Sequence, residues 1–257
     1  MANRINRIIR PDTGRTLMFA VDHGYFMGPT TGLEKLDETV TPLLPYADSL
    51  MLTRGALRYY VTPKIDTPII LRVSGGTSIL NKDMLHEGIV AGIEDAIRLN
   101  VAAVAFSIMV GADYERDTLL GFTEVVDMAE RYGIPTLAVT AVGKELVRDA
   151  KYLSLASRIA AELGARIVKT YFCDGFEKVI QSCPVPVVIA GGKKIPEREA
   201  LDMAYRAVQI GASGVDMGRN IFQAESPISM VQAVRSIVQD DYSVDKAFQL
   251  YNDLKNE

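Results

Sequence analysis

The stretch TLMFAVDHGYFMGP (16–29) decides between two architectures. Its first half is a continuous apolar run, the pattern of a strand buried on both faces. Its second half turns on Asp22, His23 and Gly24 rather than on G-x-G-x-x-G. An open, doubly wound sheet would want that glycine fingerprint after its first strand and an acidic residue after its second. The fingerprint is absent, which favours a barrel.

Seven more apolar runs follow: SLMLTRG (49–55), PIILRVSGG (68–76), AAVAFSIMVG (102–111), PTLAVTAVG (135–143), RIVKTYF (166–172), VPVVIAGG (185–192) and SGVDMGRN (213–220). Amphipathic stretches alternate with them. LEKLDETVTPLLPYA (33–47) is limited or bent by Pro42 and Pro45. LHEGIVAGIEDAIRLN (85–100), TLLGFTEVVDMAERYG, LASRIAAELG, FEKVIQSC, EREALDMAYRAVQIG and PISMVQAVRSIVQ are cleaner helical patterns. Several end on a helix-stop residue: Asn100, Gly133, Gly164 and Gly211. ALRYYVTPKIDTP, between the second and third strands, holds at most a short helix. Eight strand–helix units predict an α/β fold, a (β/α)8 TIM barrel, as one domain over 1–257. YSVDKAFQLYNDLKNE (242–257) adds a C-terminal helical tail.

Composition narrows the function. The 257 residues are 48% hydrophobic, enough for a full core, and carry a net charge of −4 with acids and bases interspersed. No basic block or basic–aromatic stripe argues for nucleic acid, and no run reaches membrane-spanning length. The two cysteines, Cys173 and Cys183, form no metal-ligand spacing with the two histidines, His23 and His86. A chain this poor in cysteine suits a reducing compartment, so a cytoplasmic protein without a metal is expected.

In a parallel barrel the chemistry gathers where strands end. Asp22 and His23 close the first strand and Arg54 the second. Lys169 interrupts the apolar run of the sixth, where an ammonium loses hydration. It is either one half of an ion pair, with an acid such as Asp22 or Asp216, or a lysine made easy to deprotonate, able to attack a carbonyl. Asp22 is the natural partner to orient it or shuttle its proton. His23 is open between proton transfer and hydrogen bonding that caps the strand. Gly191, Gly192 and Gly218 follow strands seven and eight, where backbone N–H groups cradle phosphate in such barrels, and Arg219 adds a bidentate donor. His86, Lys193 and Lys194 read as surface groups, and Cys173 and Cys183 as packed ones.

DHGYFMGPTTGLE, TRGALR, IVKTYF, AVTAVGKELVRD, LASRIAAELGA, CPVPVVIAGGKKIPEREAL and GASGVDMGRNIFQ together resemble the archaeal-type class I aldolase (DhnA/DeoC/LacD-like) family over nearly the whole chain. The resemblance implies Lys169 as a Schiff-base lysine, Asp22 as its acidic partner, and Gly191, Gly192, Gly218 and Arg219 as phosphate ligands. The aldolases carry a YPRG-like segment after strand five, with a proton-transferring tyrosine. Here the segment is AVGK (141–144), with Ala141 in the tyrosine's place. That departure implies the thiolase branch, which acts in phospho-autoinducer-2 breakdown. There coenzyme A is co-substrate, and a phosphorylated 1,3-dicarbonyl gives dihydroxyacetone phosphate and acetyl-coenzyme A. The alternatives are a class I aldolase on a ketose phosphate and a non-catalytic phosphosugar sensor, the latter having no need of Lys169. The family also implies a large homo-oligomer.

Overall fold

The computed structural model describes all residues but 62–64, 83–84, 143–147 and 257, and the side chains of 141 and 142 are likewise outside it. Eight strands form a closed parallel barrel: β1 Thr16–Ala20, β2 Ser49–Thr53, β3 Ile69–Arg72, β4 Ala103–Val110, β5 Thr136–Val142, β6 Ile167–Tyr171, β7 Val187–Ala190 and β8 Gly214–Met217. Around the ring the order is β1-β8-β7-β6-β5-β4-β3-β2. Each expected run holds one strand, so the (β/α)8 expectation is met. The seam closes with Thr16 opposite Gly214 and Phe19 opposite Met217.

The period of two along each strand sorts the side chains into two cores. Outward positions such as Leu17, Phe19, Phe106 and Val168 pack against the helices, with Phe122 and Leu201 among their partners. Inward positions such as Met18, Met51, Ile70, Ala103, Leu137 and Ile167 fill the barrel. Each fully buried side chain of this size contributes about 1.5–3 kcal/mol. The inward face is apolar at its lower end and polar at its upper end. Lys169 stands two residues beyond Ile167, Arg72 two beyond Ile70, and Ser107 two beyond Ala105. The helix Ala2–Ile8 stops the lower end with Ile5, Ile8 and Ile9.

Helices Glu115–Arg131, Ala150–Glu162, Glu197–Ile210 and Pro227–Asp240 follow the amphipathic patterns, and Val244–Asn256 forms the tail. Asn100, Gly133, Gly164 and Gly211 all take positive φ, as helix-stop residues should. Two patterns fall short. Residues 33–47 yield only Leu36–Val40 and the 3₁₀ turn Leu44–Tyr46, because the prolines interrupt the backbone ladder. Residues 85–100 are helical only over Ile93–Arg98. Gly88–Ile89 instead pairs antiparallel with Ser74–Gly75, which draws Glu87 onto the hydroxyl of Ser74.

Candidate active site

The polar upper layer lines a cavity of about 320 Å³ at the C-terminal ends of the strands. Lys169 points into it from β6, with its Nζ 2.9 Å from Oδ2 of Asp216 on β8. The contact is ionic. At this distance the Lys169 ammonium is the cation that faces the buried Asp216 carboxylate. Asp216 is wholly buried, and burial pushes its carboxyl's pKa up more than Lys169 pulls it down.

Asp22, expected beside Lys169, makes its direct ion pair elsewhere. Its Oδ2 accepts from Nε of Arg72 at 2.9 Å. Burial would raise this carboxyl too, but Arg72, Lys169 and His23 together bring it below the ordinary value. Lys169 therefore sits among two carboxylates of opposite character, one stabilised as an anion and one pushed toward its acid form. The direct partner is Asp216 because β8 and β6 flank the cavity on either side of the short β7, and the lysine spans that gap.

Arg72 was not singled out in the sequence, although the signal was the one that exposed Lys169: a cation inside an apolar run, PIILRVSGG. Its Nη1 donates to Ser74 Oγ at 3.2 Å and to Ser107 Oγ. Its guanidinium lies 4.9 Å from the centre of the Tyr25 ring. Tyr25 and Ser74 both donate to Glu87, each at 2.6 Å. Burial alone would favour discharging Arg72, and Tyr25, Asp22 and Glu87 outweigh it. The cluster fixes the wall formed by β1, β3 and β4.

His23 also lines the cavity. Its ring packs edge-on against Phe222 with centroids 5.5 Å apart, and its Nδ1 is buried without a hydrogen-bond partner among the described residues. Its side chain makes no cap bond to the short helix Gly24–Met27 that follows it. Burial lowers its pKa to about 4, so the imidazole is neutral near pH 7.

Next to β1 around the ring, on β7, β8 and the turns that follow them, Gly191, Gly192, Gly218 and Arg219 also line the cavity. Gly218 has no alternative, because a Cβ there would overlap the carbonyl oxygen of Ala20 and the His23 ring. Gly192 takes a φ of +70°. Asn220 holds the first turn by donating to the carbonyl of Gly191 at 2.6 Å. Nε of Arg219 is buried with no acceptor among the described residues, an exception to the rule that buried donors are paired. At the rim, the guanidinium of Arg148 stacks 3.7 Å from the centre of the Tyr171 ring.

Several singled-out residues lie elsewhere. Arg54 donates to Asp95 at 2.6 Å and does not line the cavity. His86, at the surface as expected, stacks on Tyr114 and approaches Asp117 at 3.3 Å. Lys194 is tied to Glu197 at 2.9 Å, and Lys193 is exposed. Cys183 is buried. Cys173 does not line the cavity, and burial raises its thiol's pKa. The backbones of Ala141 and Val142 pair with Met109 and Val110, while their side chains, and Gly143 and Lys144, lie outside the described residues.

Comparison with known proteins agrees with this architecture. The DeoC/LacD family aldolase profile matches residues 16–224. Over 256 residues the chain is 55% identical to the 3-hydroxy-5-phosphonooxypentane-2,4-dione thiolase of Enterobacter sp. strain 638, covering 99% of this chain and 86% of that one. It is 53% identical over 252 residues to the thiolase of the same name from Photorhabdus laumondii, covering 98% and 86%. In three dimensions the barrel is similar to an archaeal fructose 1,6-bisphosphate aldolase, with a TM-score of 0.83 at 24% identity over 92% of this chain and 98% of the other. The chain belongs to the DeoC/LacD family of aldolases.

Proposed function

We propose that the protein is a thiolase that uses coenzyme A to cleave 3-hydroxy-5-phosphonooxypentane-2,4-dione into dihydroxyacetone phosphate and acetyl-coenzyme A. The observation that carries the reading is one cavity in which a buried lysine beside a carboxylate faces glycine turns and an arginine whose Nε lacks an acceptor. The names of relatives sharing more than half of their aligned residues choose the reaction.

The phosphate sits on Gly191, Gly192, Gly218 and Arg219. Asp216 takes the proton of Lys169, and the amine adds to the ketone nearer the phosphate. Loss of water, with proton traffic through Asp22, gives the iminium. The coenzyme A thiolate adds to the acetyl carbonyl, and the resulting alkoxide collapses with cleavage of the carbon–carbon bond. The bonding pair moves into the iminium, leaving an enamine on Lys169. Protonation and hydrolysis release dihydroxyacetone phosphate. Lysine is the electron sink throughout. His23, neutral, passes protons without adding a competing positive charge beside the phosphate.

The test is product analysis with the phosphorylated dione, with and without coenzyme A. Acetyl-coenzyme A and dihydroxyacetone phosphate are expected only with it. Lys169→Ala should abolish turnover while leaving the fold intact, and borohydride with the dione should add mass at Lys169 in the wild type. Coenzyme A-independent cleavage of a ketose phosphate at a comparable rate would return the chain to aldolase chemistry. We further read the protein as a cytoplasmic homo-oligomer. In support, no helix among the described residues is long and apolar enough to cross a membrane, and the apolar side chains of Leu80 and Tyr59 are exposed.

A further inference from the structure

Building on the thiolase reading, we propose that the hydroxyl of Ser107, held by Arg72, donates the hydrogen bond that stabilises the oxyanion formed when the thiolate adds to the acetyl carbonyl. The ring order sets β3 and β4 across the barrel from β7 and β8. A dione anchored by its phosphate on the β7–β8 turns and bonded to Lys169 through its middle therefore directs its acetyl end toward Arg72 and Ser107. Ser107 also faces the same cavity as the lysine, on a register that runs through Val139.

The hydrogen bonds around Ser107 leave one proton over. Its Oγ accepts from Nη1 of Arg72. Its backbone N–H donates to Ser74 Oγ at 3.0 Å. Its own hydroxyl proton has no acceptor among the described residues, and the side chain is buried while lining the cavity. A hydroxyl that accepts from a cation is a stronger donor through its own proton. The other hydroxyls at the cavity are committed or misplaced. Tyr25 donates to Glu87 and Thr140 to Thr170. Tyr171 lies on the lysine's own strand at the rim, under Arg148.

The step balances without a further reagent. The thiol's proton has gone to solvent. The thiolate sulfur forms a bond to the acetyl carbon, and the carbonyl π pair moves onto oxygen, where Ser107 meets it. That pair then reforms the carbonyl as the carbon–carbon pair leaves into the iminium. Imine formation precedes all of this and makes no demand on Ser107.

This separation defines the experiment. In Ser107→Ala, kcat for acetyl-coenzyme A release should fall about 10²–10³-fold, the usual loss for one oxyanion donor. The KM for the dione should hold within about twofold, and the yield of the borohydride adduct at Lys169 should equal that of the wild type. Ser107→Thr, which keeps a hydroxyl, should recover most of the rate. An undiminished kcat in Ser107→Ala, with a wild type that makes acetyl-coenzyme A, overturns this role alone. Loss of adduct in parallel with kcat also overturns it, since Ser107 would then be shaping the lysine's wall. A wild type that makes no acetyl-coenzyme A overturns the thiolase reading and this role together.

Discussion

Nε of Arg219 is a buried donor with no acceptor among the described residues, and it has a measurable consequence. If it belongs to the phosphate site, Arg219→Ala removes a charge-assisted contact of roughly 1.5–3 kcal/mol. Phosphate binding is shared by ground and transition states, so the loss should appear as a ten- to hundredfold rise in KM for the dione with little change in kcat. An unchanged KM would move the phosphate elsewhere. His23 makes a different prediction. Its pKa is held near 4 against an ordinary 6.5, so the unfolded chain takes up a proton that the native protein refuses. The native state is therefore destabilised as pH falls from 6.5 toward 4, by about 2 kcal/mol between pH 7 and pH 5. Urea denaturation at the two pH values should show that slope in the wild type and its loss in His23→Asn. Equal slopes would mean that the imidazole is protonated in the folded protein. At this scale Lys169 was legible because a charge in an apolar run is conspicuous. Its partner was not, since Asp22 and Asp216 both end inward-facing runs and only the cross-strand geometry chooses between them.

Strands were the easiest elements to read, and the seam explains why they had to be where they are. Gly214 opens β8 at a φ of +127°, and a Cβ there would overlap the carbonyl oxygen of Thr16. The first and last strands meet through a glycine because no other residue lets the two backbones come that close. Gly214→Ala combines a forbidden backbone region with a backbone clash, so a loss of about 3 kcal/mol or more is expected. Thermal or denaturant unfolding would measure it, and a loss below about 1 kcal/mol would show that the seam relaxes freely. Helices were less legible where a polar residue is pulled out of pattern. Glu87 leaves the amphipathic reading of 85–100 to serve Ser74 and Tyr25. The first helix was not read at all, because its contribution is three isoleucines in a basic segment. What makes Ile5, Ile8 and Ile9 a structural unit is the open end of the barrel they fill, and that exists only after the strands close.

For the whole molecule, the oligomer proposed above can be tested at two exposed apolar side chains, Leu80 at 91% and Tyr59 at 81%. Light scattering coupled to size exclusion should give a mass of several chains, and Leu80→Asp or Tyr59→Asp should reduce it if these side chains are in the contact. A single-chain mass in the wild type would remove the oligomer proposal. The pair between Lys169 and Asp216 has a consequence in time as well as in space. Its carboxylate and Arg219 belong to the last barrel strand and the short helix Arg219–Phe222 that follows it. A chain still being synthesised thus possesses the lysine before it possesses the carboxylate and the cavity wall of the last strand. A version stopped at Ser213 should give no borohydride adduct even where it remains in solution, so the competence to react arrives in one late step of biosynthesis rather than growing with the polypeptide.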